Sequence, residues 1–215
     1  MGAEGAITWL APIEAEGDGR DGGSGADHPM RVVTREALDG TTGWSDERRS
    51  DVNALFDRLA DEWHTRDGPG RHLPVLDALD RGEVGNGRCL ELGSGTGLVT
   101  SRLVPRFGSL IAADLSMEML RRAPGVAPRL RADATALPLP DRSIDVLLLM
   151  NMLLFPTEAD RVLAVDGAVV WVNSRGAGTP IHLPAEDVVD ALPGSWSAVA
   201  SSHGESTWCV ARRAV

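Results

Sequence analysis

The stretch Arg88-Cys89-Leu90-Glu91-Leu92-Gly93-Ser94-Gly95-Thr96-Gly97-Leu98 decides how this chain is read. Arg88 to Leu92 is strand-like. Three glycines at alternate positions then make a tight turn, and Leu98, Val99 and Leu103 follow at helical spacing up to Pro105. The same alternation continues downstream. Ser109 to Ala113 reads as a second strand, followed by a helix that Ser116 caps and that runs to Arg122. Pro128 to Ala132 is a weaker third strand. Ile144 to Met150 is a strong fourth, bounded by Pro138 to Asp141 on one side and Pro156 on the other. Ala168 to Asn173 is the fifth. A short helix over Ala185 to Leu192 leads to two closing strands, Trp196 to Ala200 and Thr207 to Arg212. The polar turn between those two, Ser201 to Glu205, joins only antiparallel neighbours, because a parallel crossover needs about a dozen residues. Strands alternating with helices predict an α/β fold, a doubly wound and mostly parallel sheet covered on both faces.

Upstream the character differs. Residues 1–44 lack a sustained period, and Gly17 to Gly25 reads as a flexible, Gly-rich extension. Residues 45–82 form a helical cap segment. Val52, Leu55, Phe56, Leu59, Ala60 and Trp63 mark one face of a helix that starts at Ser45 and ends at Gly68 to Gly70. A second helix runs from Leu73 or Pro74 through Leu79 and stops at Gly82. Residues 83–215 are the core domain.

Composition narrows the function classes. The 215 residues carry 31 acidic and 21 basic side chains, a net charge of −10. Every basic one is arginine. An acidic chain is a poor nucleic-acid binder, since phosphates are met by clustered Lys or Arg. Cys89 and Cys209 sit inside apolar runs and make neither a disulfide framework nor a zinc pattern, which suits a reducing cytoplasm. The longest apolar run, Val146 to Phe155, is interrupted by Asn151 and is far below the roughly 20 residues of a membrane span.

The chemistry concentrates at strand ends. Glycine is needed where backbone approaches a ligand closely or takes positive φ, and the turn after the first strand lies where doubly wound sheets bind ligands. Asp114 ends the second strand, placed to accept from two ribose hydroxyls. Asp133 and Ala134 follow the third strand, where a side-chain acceptor and a backbone amide read an adenine edge. Glu91, buried two residues before the turn, requires a partner.

This set resembles the class I S-adenosylmethionine-dependent methyltransferases, most closely their small-molecule branch. Glu91, Gly93, Gly95 and Gly97 match the family's acid-x-Gly-x-Gly-x-Gly signature, Asp114 its ribose-binding acid and Asp133 its adenine-reading acid. The resemblance covers about residues 50 to 212. It implies a seven-stranded sheet with an antiparallel last strand, and S-adenosylmethionine as cofactor, with S-adenosylhomocysteine as product. On it the cofactor contacts are Glu91, Gly93, Ser94, Gly95, Gly97, Asp114, Leu115, Asp133, Ala134 and Met150. The competing motif is the dinucleotide fingerprint Gly-x-Gly-x-x-Gly, which Asp114 would also serve. Against it, Gly97 comes one residue early, an acid precedes the turn, and Asp133 follows the third strand.

The acceptor is less legible. The place after the fourth strand reads Met150-Asn151-Met152-Leu153, not the Asn/Asp-Pro-Pro-aromatic run of nucleobase amine methylation. Asn151 and Asn173 stand where catechol methylation has a carboxylate-rich metal site, so no metal is expected. Short connections around the fifth strand leave any lid to the N-terminal helices. Trp44 and Trp63 would line an apolar acceptor site. His64 and His72 are candidates for a general base, and His28, His182 and His203 read as solvent or turn residues. N-, O-, S- and C-acceptors and the oligomeric state stay open. The expected protein is a cytoplasmic methyltransferase acting on a small molecule, without nucleic-acid or membrane partners. The alternative is a catalytically silent cofactor- or partner-binding protein on the same fold.

Overall fold

The computed structural model describes residues 6–15, 25–38, 43–68 and 70–214. Eight strands form one sheet: β1 (Ile7–Trp9), β2 (Arg88–Leu92), β3 (Ser109–Asp114), β4 (Arg129–Arg131), β5 (Ile144–Met150), β6 (Leu163–Asn173), β7 (Trp196–His203) and β8 (Ser206–Arg213). Their spatial order is β1-β7-β8-β6-β5-β2-β3-β4. β8 is antiparallel to β6 and β7, and every other neighbouring pair is parallel. Strands β2 to β8 are the seven expected, with the last antiparallel. The helices are α1 (Met30–Leu38), α2 (Asp46–Leu59), α3 (Leu73–Arg81), α4 (Thr100–Leu103), α5 (Met117–Arg122), α6 (Pro156–Val162) and α7 (Ala185–Ala191). No helix among the described residues is long and apolar enough to cross a membrane.

Strand alternation builds two cores. Leu90, Leu147, Leu149, Val169 and Trp171 face one way, onto Met30, Val33, Ala159, Val162, Val188 and Val189. Cys89, Val146, Leu148, Val170 and Val172 face the other way, onto Val75, Leu79, Val99 and Leu103. Each such side chain stabilises by about 1.5–3 kcal/mol, and this is why the central strands are apolar on both faces. Both cysteines are buried, and burial pushes the Cys209 thiol up to about 12.

Several elements differ from the sequence reading. β6 starts at Leu163, five residues early: between Ile144 and Val146 its register slips from Leu163 to Ala168, leaving an irregularity that puts Val165 in solvent. Pro156, read only as a stop, occupies the first turn of α6, where its missing N–H costs nothing. α2 ends at Leu59 and tightens into 3-10 turns over Ala60–Arg66. β7 and β8 run on into the polar segment and leave only Gly204 and Glu205 as the connection. Within the first 44 residues, β1 pairs with β7 at the sheet edge and α1 packs on the core, while residues 16–24 lie outside the described set. Covering β7 satisfies backbone groups that an open edge would leave unpaired. Ser45 accepts from the Arg48 N–H and Ser116 from the Met119 N–H, the two N-caps expected.

One polar contact ties the second core together. Asp77, buried on α3, accepts from the Trp208 indole N–H at 2.6 Å and lies 3.4 Å from the Arg81 guanidinium. Asp77→Ala leaves that indole without an acceptor, so urea denaturation should show a loss of about 1–3 kcal/mol. Asp77→Asn should lose less, and an unchanged midpoint for both would contradict the assignment.

Candidate functional site

The strand order reverses at β2: β3 and β4 lie to one side of it, β5 and β6 to the other. The carboxyl ends of these strands therefore frame a crevice at the switch point. The glycine turn is its floor. The Gly93 and Ser94 N–H groups both donate to the Ala113 carbonyl, at 2.8 and 3.0 Å, which fastens the turn to the end of β3. Gly93 (φ 75°) and Gly95 (φ 57°) take the left-handed conformation that favours glycine. A Cβ on Gly93 would sit 2.5 Å from the Met152 sulfur, and one on Gly95 would sit 3.1 Å from the Trp63 indole nitrogen. Both glycines thus permit a close approach.

A cavity of about 780 Å³ opens above this turn, toward the upper end of the 300–1,000 Å³ usual for ligand pockets. Glu91, Gly93, Ser94, Gly95, Asp114, Leu115, Asp133, Ala134 and Met150 all line it. Gly97 does not. Its backbone packs under the turn, where a Cβ would meet Pro124 Cδ at 3.0 Å, so its part is structural. The Ser94 hydroxyl is buried with no hydrogen-bond partner.

Each carboxylate has its own environment. Glu91 is buried and accepts from the Thr100 hydroxyl at 2.6 Å, the partner its position demanded. Burial raises its carboxyl from the ordinary 4.5 to about 7; the Thr100 bond opposes this and the charge of Asp114 adds to it. Asp114 is half-buried, not at an open strand end as its sequence context suggested. Its two oxygens accept from the Gly95 and Ser116 N–H groups, both at 2.8 Å. Burial pushes its carboxyl up, against the pull of these backbone bonds. Asp133 accepts from the Thr135 N–H at 2.9 Å and hydroxyl at 2.8 Å, from the Trp44 indole N–H at 3.2 Å and from Arg49 at 3.4 Å.

The N-terminal segment closes the crevice. The stripe of α2 that reads as core in the sequence is largely cavity wall: Val52, Leu55, Phe56, Leu59 and Trp63 line it. Asp57 clasps α2 to α5, accepting from the Ser116 hydroxyl and from the Glu118 N–H. Trp44 and Trp63 both line the cavity, as expected, with Trp44 edge-on to Phe155 at 5.2 Å. The two general-base candidates, His72 and the exposed His64, do not reach the cavity, while His28, exposed as expected, and half-buried His203 stand at its wall. Asn151, missed in the sequence, adopts φ 52° just beyond β5, and its amide bonds the Ser174 hydroxyl and N–H at 2.8 and 2.9 Å. Asparagine at the end of a strand, among the non-glycine residues most tolerant of that conformation, was the available signal.

Two measurements test these environments. A buried acid with a raised folded-state pKa contributes stability below its unfolded value and loses it as pH rises. Relative to Glu91→Gln, the wild type should therefore lose up to about 3 kcal/mol of urea stability between roughly pH 4.5 and 7. Parallel pH profiles would refute the raised value. Asp114→Ala strands two backbone N–H groups, so it should lower the unliganded melting temperature as well as weaken cofactor binding by about tenfold or more. Asp114→Asn should fall between.

Comparison with known proteins agrees with this geometry. The family described as "Methyltransferase domain" matches residues 90–170. A malonyl-[acyl-carrier protein] O-methyltransferase of Halorhodospira halophila is 34% identical over 145 residues, spanning 60% of this chain. The match covers 45% of that relative, so the chain spans less than half of its length. Among solved structures, a DhpI–SAH complex superposes with TM-score 0.58 at 24% identity, over 74% of this chain and 94% of that one. An S-adenosylmethionine-dependent methyltransferase from Aquifex aeolicus gives 0.56 at 19% identity, over 71% and 96%. These two likenesses show a shared fold. Residues 90–170 thus match a methyltransferase domain, and the fold around the Glu91–Gly97 turn is the one found in S-adenosylmethionine-dependent methyltransferases.

Proposed function

We propose that this protein transfers a methyl group from S-adenosylmethionine to a small-molecule acceptor. The observation that carries the reading is the convergence of Glu91, Asp114 and Asp133, from the ends of three neighbouring strands, on one cavity floored by the Gly93–Gly95 turn. The residues fit the cofactor. A Cβ is excluded at Gly93 and crowded at Gly95, and the buried Ser94 hydroxyl has no protein partner. On the family pattern, Asp114 would take the ribose hydroxyls, Asp133 and the Ala134 N–H the adenine edge, and Glu91, Gly93, Ser94 and Gly95 would frame the remainder, beside Leu115 and Met150. Gly97 acts through the turn.

When bound, S-adenosylmethionine supplies an electrophilic methyl group on a sulfonium centre. The protein's task is then orientation, which can be worth roughly 7–11 kcal/mol of a barrier. Trp44, Phe56, Trp63 and Phe155 wall the cavity with apolar surface that excludes water, and Met152 presses against Gly93. The size of the cavity and the α2 cap over it suit a small molecule, and the named activity of the Halorhodospira relative points the same way. A net charge of −10 disfavours nucleic-acid acceptors, and two buried free thiols suit the cytoplasm.

Calorimetric titration with S-adenosylmethionine, S-adenosylhomocysteine, NAD and NADP tests the reading. Micromolar binding of the first two and none of the nicotinamide nucleotides is expected, and binding of a nicotinamide nucleotide alone would sink it. Turnover to S-adenosylhomocysteine in the presence of fractionated cell extract separates an enzyme from a silent binder.

A further inference from the structure

Beyond the three acids, Arg66, Arg71 and Arg175 line the cavity, and the backbone at Arg175 is held firmly. Arg175 follows β6 directly. Its N–H donates to the Thr179 hydroxyl at 3.0 Å, and its carbonyl accepts from the Gly178 N–H at 2.8 Å. The residue before it is held on every polar atom. The Ser174 N–H and hydroxyl bond the Asn151 amide, and the Ser174 carbonyl accepts from the Ser206 hydroxyl at 2.7 Å. Asn151 adopts its φ of 52° to make this staple, a backbone state that costs of order 1–3 kcal/mol and persists only where surroundings over-determine it. Such conformations cluster at ligand clamps.

The side chain itself is left uncompensated. Arg175 lines the cavity and is half-buried, and among the described residues no carboxylate or carbonyl pairs with its guanidinium. Glu205, on the β7–β8 connection, lines the same cavity but makes no ion pair with it. Met152, Leu153, Phe155 and Ile181 add apolar surface to the same cavity wall. A guanidinium in such a setting, within a chain that carries an excess of ten acids, matches an oxyanion with two neighbouring oxygens, which it can grip through two parallel N–H bonds.

We propose that Arg175 reads an anionic oxygen group of the methyl acceptor, which is therefore an apolar molecule carrying a carboxylate or a phosphonate. The assignment rests on the methyltransferase reading and goes beyond it by naming the acceptor's chemical class. Asn151 is a positioning residue: it fixes the loop from which the guanidinium reaches the cavity.

The test uses the full chain saturated with S-adenosylhomocysteine, titrated calorimetrically with octanoate, octylphosphonate and neutral octanamide. At least one anion should bind about tenfold or more tighter than octanamide, the worth of one charge-assisted hydrogen bond, and the stronger of the two names the acid. Arg175→Met should abolish that preference while leaving S-adenosylhomocysteine affinity within about threefold of wild type. Arg175→Lys, which keeps the charge and loses the fork, should retain part of it. Octanamide binding as tightly as the anions, or no binding of either anion, overturns the proposal. So does an Arg175→Met protein that loses S-adenosylhomocysteine but keeps octanoate, since the side chain then serves the cofactor. Failure of the wild type to bind S-adenosylhomocysteine at all is a different outcome, and it removes the cofactor reading itself.

Discussion

The carboxylate of Asp114 is the joint on which the cavity floor depends. One oxygen takes the Gly95 N–H and the other the Ser116 N–H, so a single side chain at the end of β3 holds both the glycine turn and the entry to α5. The Ala113 carbonyl adds the Gly93 and Ser94 N–H groups. The turn could not take this path with side chains at Gly93 or Gly95, because Met152 and Trp63 already fill that space. On the proposed reading, the acid that would take the ribose hydroxyls therefore also holds the scaffold, and one substitution would touch both duties. Buried N–H groups left without acceptors are expensive, which makes this joint structurally demanding as well as chemically useful.

The same economy recurs at the cap. Asp133 ties Trp44 and Arg49 to the end of β4, and Asp57 ties α2 to Ser116 two residues beyond Asp114. The cap is thus hydrogen-bonded to the acid that the family pattern assigns to the adenine edge. Any group that engages Asp133 alters the balance of bonds holding the N-terminal segment over the cavity. The cap and the cofactor end of the site form one hydrogen-bonded unit, although some 80 residues separate Trp44 and Arg49 from Asp133 in the chain.

What was legible in the sequence follows from whether local pattern or distant contact decides each position. β5 is read to the residue because five consecutive apolar residues, Val146 to Met150, stand between flanking prolines with only Asp145 intervening after Ile144. Glu91, Asp114, Asp133 and the glycines are legible because a strand end is a local feature. α1 escaped because its buried face is Met30, Val33, Thr34 and Ala37, in which one member is polar and one is small. The Thr34 hydroxyl is buried by bonding the Met30 carbonyl of its own helix, which hydrophobicity does not register. β1 has three residues and takes its order from the edge of β7 alone. Trp44, Asn151 and Arg175 act through contacts with residues far along the chain or through what surrounds them, and no spacing encodes that. Gly97 shows the opposite error: a residue of the signature that supports the turn without facing the cavity.

The contrast between sheet and cap has an energetic basis. The sheet rests on two apolar cores in which Leu147, Leu148, Val169 and Val170 are fully buried. α2 buries one residue, Val52, in the conventional sense, and the rest of its apolar stripe faces the cavity. Among the described residues the cap's other ties include the Asp57 clasp, the bonds to Asp133, the edge-on Trp44–Phe155 pair and the Arg48–Glu36 and Arg122–Asp61 ion pairs. An exposed pair of that kind is worth about 0–1 kcal/mol, and an aromatic pair about 0.5–1.5 kcal/mol beyond its buried area. Local opening is drawn from segments with few buried apolar contacts. The cap is therefore the part of this fold that can open with the sheet intact, and an enclosed cavity needs such a part to admit its ligands. The rigid half of the wall is the stapled end of β5 and β6, where Asn151 and Ser174 hold Arg175 in place. On the proposed reading, a cover that can open, facing an arginine on a firmly held loop, would select an acceptor by its charged end and accommodate the rest of it by packing.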